Sequence, residues 1–441
     1  MTAFLPPPDF LDSPRGRRFG VPPQEFRTDS LPDHAAVVIV GGGLAAIVVA
    51  GTLWHAGVRD VVIVDRAGRL GGQFLRRADI LGQRVLRSPY DHHPGVEGYR
   101  DCELLDFARL NWSLLTDGER RQVRMAQAGH RSVVPMDVFE AYCDHVVAMH
   151  GLAGRSWPGE VQRIEPGEDG VVVRTSLGDI HAATVVLCTG EEPAAAPAGW
   201  FDGDTLPDGV RYWSDPADEA GGTTVVVGAG LSGAHLVTDA LASGDRVHWI
   251  VRGEAERFQC ADVNASFFRA EGRSRFLGTT SWQDRLLMMR QHRRASVMFE
   301  FRPGLRAAEE EGRLVVHRGT GVAAVHGRRP GAEPTIDLTD GTTVAGQRVV
   351  LALGTRPLIG AELLPQDVVR ARDGWPDLDE VTLAYRAAPR VHALGAAACM
   401  VLGPAARNID GHRVGTSRVV TSILGQLVDS AARQEQEVAH A

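Results

Sequence analysis

Cysteine is scarce in this chain: five residues out of 441, at positions 102, 143, 188, 260 and 399, with no two at C-x-x-C or C-x-x-x-x-C spacing. That excludes a local redox dithiol and offers no metal-ligand pattern, so no metal is expected. Cys188 lies inside an apolar strand pattern and reads as core. There is no basic segment followed by an apolar run at the N-terminus, so no secretory leader is expected. The stretch from Ala35 to Val58 approaches membrane-span length, but the glycines Gly41 to Gly43 at turn spacing break it and fit a buried βα unit. An excess of positive charge is also missing. The net charge of −8 argues against a nucleic-acid partner, and a cluster such as Arg290 to Arg294 reads as a solvated or ligand-facing helix side. The expectation is a cytoplasmic protein with neither membrane nor nucleic acid among its partners.

What is present is one nucleotide-binding signature, twice. The first copy runs Val37-Val38-Ile39-Val40, then Gly41-Gly42-Gly43-Leu44-Ala45-Ala46, a helical stretch, and Val61-Val62-Ile63-Val64 ending on Asp65. The second runs Val225-Val226-Val227, then Gly228-Ala229-Gly230-Leu231-Ser232-Gly233, a helical stretch, and Val247 to Val251 ending on Arg252. The distance from first glycine to terminal residue is 24 in both, the length that a strand, tight turn, helix and strand require. Gly41 and Gly228 permit the turn, Gly43 and Gly230 let backbone N–H groups approach a pyrophosphate, and Ala46 and Gly233 keep helix close to strand. Each helix N-terminus then faces the anion. Asp65 suits the hydroxyls of an adenosine ribose; Arg252 suits the 2′-phosphate of NADP.

The duplication extends beyond the fingerprints. Val185 to Gly190 is an apolar strand closing on a small-residue turn, Val349 to Gly354 is its counterpart, and Val391 to Gly395 is a third. Helical spacing predicts a helix over Asp137 to Met149 and a terminal helix near Gly415 to Leu427. The fold class expected is α/β, with two Rossmann-like domains, the second inserted in the first. The expected boundaries are a proline-rich arm at 1–34, a first domain at 35–215 and 386–441, and a second at 216–385 carrying a helical insertion at 258–306. The arm fits either an extended segment on the surface or on a neighbouring subunit, hinting at a homo-oligomer, or a loosely ordered tail.

So arranged, the chain resembles the flavoproteins with two dinucleotide-binding domains, and among them the class B flavin monooxygenases, closest to the amino-acid N-hydroxylating branch. The resemblance rests on Gly41-x-Gly43-x-x-Ala46 with Asp65 and Gly71-Gly72 for FAD, on Gly228-x-Gly230-x-x-Gly233 with Arg252 for NADPH, and on the strands closing at Gly190 and Gly354. It implies that Arg66, Gly72, Gln73 and Gly395 also border the cofactors. It further implies that reduced flavin meets O₂ to give a C4a-(hydro)peroxide, which oxygenates a small-molecule substrate, foremost at an amine nitrogen. Leu231 and His235 stand where relatives carry Gln and Glu, and Ala396 where many carry an aspartate.

By the same resemblance Asn264, in Asp262-Val263-Asn264-Ala265-Ser266-Phe267-Phe268, is a substrate candidate, with helix capping the competing reading. In Arg84 to Pro94, which relatives pass beside the flavin ring, His92 and His93 are candidates for a chemical role, set against ordinary hydrogen bonding in a polar loop. Two other functions share the fingerprints: an NADPH-dependent FAD reductase feeding a quinone or protein acceptor, and a nucleotide-binding sensor. The inserted segment favours the monooxygenase.

Overall fold

The computed structural model describes residues 18–99, 102–203, 205–216, 221–328 and 332–440. β1 (His34–Val40), buried along most of its length, turns through glycines into α1 (Leu44–His55), and β2 (Val61–Asp65) returns parallel to it with Val37 opposite Val61. After α2 (Gly72–Ile80) and α3 (Met136–Met149), β3 (Ser156–Pro158) extends the parallel sheet beside β2. A meander of β4 (Val161–Pro166), β5 (Val171–Thr175) and β6 (Gly178–Leu187) then sets β6 on the other side of β1, Val40 opposite Leu187. Parallel strands covered on both faces must be apolar nearly throughout, which is why these runs of Val and Ile do not alternate.

The chain leaves this unit through β7 (Glu191–Pro193) and begins a second sheet with β8 (Val210–Tyr212). There β9 (Thr223–Val227), α4 (Leu231–Ala242) and β10 (Arg246–Val251) repeat the first arrangement, Thr224 opposite Val247. The inserted segment contributes α5 (Ala270–Leu277) and α6 (Trp282–His292) and leads into α7 (Arg302–Glu310). β11 (Leu314–Arg318) extends the sheet, and the antiparallel trio β12 (Val322–His326), β13 (Thr335–Leu338) and β14 (Thr343–Ala345) covers one face. β15 (Arg348–Leu351) closes the second sheet, whose order is β8-β15-β9-β10-β11, parallel throughout. The return runs through β16 (Thr355–Pro357), antiparallel to β7. β17 (Ala384–Tyr385) and β18 (Ala388–Ala393) complete an eight-stranded first sheet, ordered β17-β18-β6-β1-β2-β3, with β5 paired to β6 and β4 to β5. The terminal helix α8 (Ile409–His440) follows.

The two Rossmann-like units and their interleaving are as the sequence implies, but several edges differ. The expected return to the first unit was at 386, yet Leu364, Val368, Val369, Leu378, Leu383 and Tyr385 already belong to the first core, and β17 is paired into the first sheet. At the other crossing, β8 pairs with β15, so that stretch sides with the second sheet although the expected first domain ran to 215. The segment expected as an insertion of the second unit straddles both: Phe267, Phe276, Leu286 and Met289 are in the first core, while Val297, Met298, Phe301 and Leu305 are in the second. Periodicity reports that a helix has an apolar face and not which core receives it. α8 begins at Ile409 rather than near Gly415, where an added Cβ would lie 2.4 Å from Leu394 Cδ1; the glycine marks a close crossing inside the helix.

Of the proline-rich arm, residues 1–17 lie outside the described residues. The remainder packs on its own chain: Phe19 and Phe26 are buried, Arg18 pairs with Glu119 at 2.8 Å and Asp137 at 2.7 Å, and Trp157 Nε1 donates to Asp29 O at 3.2 Å. Among the described residues, no helix is long and apolar enough to cross a membrane.

Candidate functional site

Both fingerprints open into one cleft of about 2260 Å³ between the two units. Single small-ligand sites reach about 1,000 Å³, so this trough is large enough for more than one ligand. At the first fingerprint, Gly41 has φ +95°, and a Cβ there would stand 2.6 Å from Cys188 O at the end of β6. The second repeats this: Gly228 has φ +118°, and its Cβ would stand 2.2 Å from Ala352 O beyond β15. In both, the turn and the closing strand touch so closely that only glycine fits. Gly43 and Gly230 are the N-caps of α1 and α4; neither helix has a side-chain cap or an acidic residue in its first turn. Their free N–H groups, bordered by open space at Gly43, form the anion-attracting ends that a pyrophosphate needs.

Asp65, at the tip of β2, accepts from Gly42 N and Ala67 N at 2.7 Å each, which fixes its carboxylate beside the turn with lone pairs to spare for hydroxyls. Ala46 is buried one turn into α1. Arg66 is exposed on the rim and 3.4 Å from Glu160, and Gln73 lines the cleft. Gly72 departs from expectation. The residue whose backbone demands glycine is Gly71, with φ +72°, capping α2 and donating to Gly42 O at 2.7 Å, whereas Gly72 does not line the cleft. In the second unit a Cβ on Gly233 would fall 2.2 Å from Gly228 O, the same oxygen that accepts from Trp249 Nε1 at 2.9 Å. Arg252 is exposed at the end of β10 and lines the cleft with Arg257, Arg290 and Arg294, a cationic wall for a phosphate. His235 is buried against Phe301, and burial pushes its pKa down to about 3, so it is neutral packing.

The closing turns meet. Leu358 N donates to Gly190 O at 3.1 Å and Ala194 N to Gly354 O at 3.0 Å, flanking the β7–β16 pair, and Gly190, Gly354 and Gly395 all line the cleft.

The candidate catalytic residues separate. His92 lines the cleft with its ring 5.0 Å from that of Phe268, and burial lowers its pKa against the pull of Asp410. His93 does not reach the cleft: it is fully buried, with Nε2 2.9 Å from Glu103 and Nδ1 3.0 Å from the Tyr142 hydroxyl. Asn264 is exposed outside the cleft lining, and its Oδ1 accepts from Ser266 N at 3.0 Å, capping a short 3₁₀ turn. The capping reading therefore describes Asn264, because the local Asx geometry satisfies the side chain where it stands.

What the sequence did not reveal is a polar floor. Asp262 accepts from Arg293 at 3.1 Å and from Asn408 Nδ2 at 2.9 Å, while Arg407 reaches Glu191 at 2.5 Å and Thr355 Oγ1 at 2.6 Å. Burial alone would raise the Asp262 pKa, but Arg293, Arg87 and Arg407 hold it below the ordinary aspartate value. Arg87 donates to Gln259 O and Ala261 O at 2.9 and 3.0 Å and to Ser296 Oγ at 3.0 Å, fastening the loop of His92 to the inserted segment; burial brings its pKa to about 10. His412, next to Gly395, is pushed by burial down to about 4 and is neutral. These partners are up to 209 residues apart in sequence, so no local spacing announces them.

No protein-family model matches the sequence, and none of the curated proteins does. Solved structures do. An ornithine N-hydroxylase from Kutzneria sp. 744, whose structure is described with reduced FAD, NADP⁺ and L-ornithine, is 18% identical with a TM-score of 0.70, covering 89% of this chain and 99% of that one. An ornithine hydroxylase from Pseudomonas aeruginosa is 15% identical with a TM-score of 0.69 over 89% of this chain and 100% of its own. A bacillithiol disulfide reductase from Bacillus cereus is 15% identical with a TM-score of 0.59 over 89% and 99%. At these identities the likeness establishes the shared two-unit fold.

Proposed function

We propose that this chain is an FAD-dependent, NADPH-consuming monooxygenase that oxygenates a small molecule at an amine nitrogen. The observation that carries the reading is the single cleft with two unlike nucleotide ends, a backbone-anchored carboxylate at Asp65 on one side and the Arg252 guanidinium on the other. Hydride transfer between two nucleotides requires such a facing pair. The residues present fit both groups: glycine turns that no side chain may enter, and uncapped helix ends directed at the trough. FAD, when bound, supplies the redox chemistry that accepts hydride and activates O₂.

The chain's own contribution is binding, orientation and exclusion of water. Gly41, Gly43 and Asp65 would hold the flavin nucleotide, with Arg66 and Gln73 beside it. Gly228, Gly230, Gly233 and Arg252 would hold NADPH. The closing turns at Gly190, Gly354 and Gly395 let both approach the middle. His92, kept neutral by burial, presents a hydrogen-bonding imidazole to the cleft without adding charge. The straddling insertion, fixed to both cores, lines one part of the trough, which supports a substrate-enclosing enzyme over an open electron donor.

The test is substrate-dependent NADPH oxidation in a screen of amines and amino acids, with ¹⁸O₂ as oxidant. One ¹⁸O atom in a hydroxylated product supports the proposal. Stoichiometric peroxide with no oxygenated product, or rapid flavin reoxidation by a quinone or acceptor protein, assigns the chain to the reductases instead.

A further inference from the structure

A second cluster of chemistry lies at the far end of α1. His55 ends that helix, His150 follows α3, and Cys102 lies just before the helix Leu104–Leu110. The Nε2 atoms of the two histidines face each other at 3.0 Å, Cys102 Sγ is 4.0 Å from His150 Nε2, and all three atoms fall within 4.8 Å of one another. None of the three lines the cleft, and the twelve-residue helix sets them about 18 Å from Gly43.

We propose that His55, Cys102 and His150 form a zinc site that clamps the first unit. With two sides of 3.0 and 4.0 Å and a third no longer than 4.8 Å, the point equidistant from the three atoms lies about 2.0–2.4 Å from each, near the ~2.0–2.3 Å of Zn–N and Zn–S bonds. The orientation of the rings supports the assignment independently. His150 Nδ1 lies 2.8 Å from Val146 O and must donate to it, so its Nε2 carries a lone pair toward the cluster. A carbonyl behind the ring is the usual support of a metal-bound imidazole. Trp54 meets both imidazoles edge-on, at 5.0 and 5.3 Å, and Tyr99 lies against His55 at 3.7 Å, so the rings are held in place. Two imidazoles and one thiolate select zinc over oxygen-seeking calcium or magnesium. His55 is only half-buried, which leaves a fourth position for water. Binding releases the Cys102 thiol proton to solvent and shifts the His55 proton, donated from Nε2 to His150 Nε2 in the metal-free cluster, to His55 Nδ1; nothing is oxidised or reduced. The cysteines gave no spacing signal because the ligands come from three distant segments that only the fold assembles.

The full-length flavin-loaded protein, stripped with a chelator and desalted, is titrated with Zn²⁺ and, in parallel, with Co²⁺. The proposal expects one equivalent bound, a thiolate-to-cobalt charge-transfer band, and a zinc-dependent rise in unfolding temperature. His55→Gln, at a half-exposed helix end, lowers affinity at least ~10-fold, and Cys102→Ser does the same and abolishes the charge-transfer band. Zinc affinity in His55→Gln equal to that of the unaltered protein overturns the site. So does a cobalt spectrum of the unaltered protein without sulfur ligation, which needs no variant to fold.

Discussion

At the scale of single residues, the proposed function places the selectivity of the cleft on two side chains at matched positions. Every one of the 47 Lys+Arg residues is an arginine, so each basic side chain facing the trough, apart from histidine, is a planar guanidinium able to bind an anion through paired N–H groups. Replacing Arg252 with Ala is expected to lower kcat/KM for NADPH by ~10–100-fold, the range for loss of a charge-assisted phosphate contact, and to leave NADH nearly unchanged. Steady-state kinetics with both dinucleotides reads this directly, and an equal fall for both would remove Arg252 from the phosphate site. Asp65→Ala frees the two backbone donors at Gly42 and Ala67 and removes the acceptor for ribose. It should yield protein that loses flavin on gel filtration, followed by its visible absorbance. These positions were legible in the sequence because a fingerprint is local: turn, helix and terminal residue have fixed offsets. His93 and Asn264 were not, since a histidine in a loop and an asparagine before a turn look alike whether they face a ligand, the core or solvent. What separates them is Tyr142 and Glu103 around one and Ser266 N beside the other.

At the scale of elements, the closeness of α4 to its own glycine turn is the tightest constraint. Gly233→Val forces a branched side chain to within 2.2 Å of Gly228 O and displaces the helix from Trp249. A destabilisation of about 1–3 kcal/mol from overpacking is expected, together with loss of NADPH binding and retention of flavin. Thermal melting and dinucleotide titration check it; unaltered NADPH affinity would show that the helix end does not face the ligand. Element types were legible wherever period and length agreed, as for α3, expected over 137–149 and found at Met136–Met149. The affiliation of α5 and α6 was not, because amphipathic helices record a buried face and not the identity of the surface that buries it. Nor were the edges at residues 359–385, a stretch of short turns tied to the first core by scattered side chains such as Leu364 and Leu383.

For the whole molecule, buried histidines make both units sensitive to acid. His235 in the second unit and His392 in the first are buried, and burial lowers their pKa values to about 3 and about 4. Unfolding returns each to about 6.5, so between that value and the folded one the unfolded chain binds more protons. Stability is therefore complete above pH ~6.5 and falls as the pH drops toward 4, each imidazole removing up to about 1.4 kcal/mol per pH unit. Urea unfolding at pH 7.5, 6 and 5 should show the decline, and His235→Leu should flatten it. A profile unchanged by that substitution would mean that His235 does not titrate on unfolding.

The chain passes between the two nucleotide units twice, and β7 and β16 bind those passages to each other. Turning one unit against the other must therefore flex a paired ribbon instead of two independent tethers. The separation of the two glycine turns is coupled to that ribbon, so any widening of the trough must bend or unpair residues 191–193 and 355–357 together.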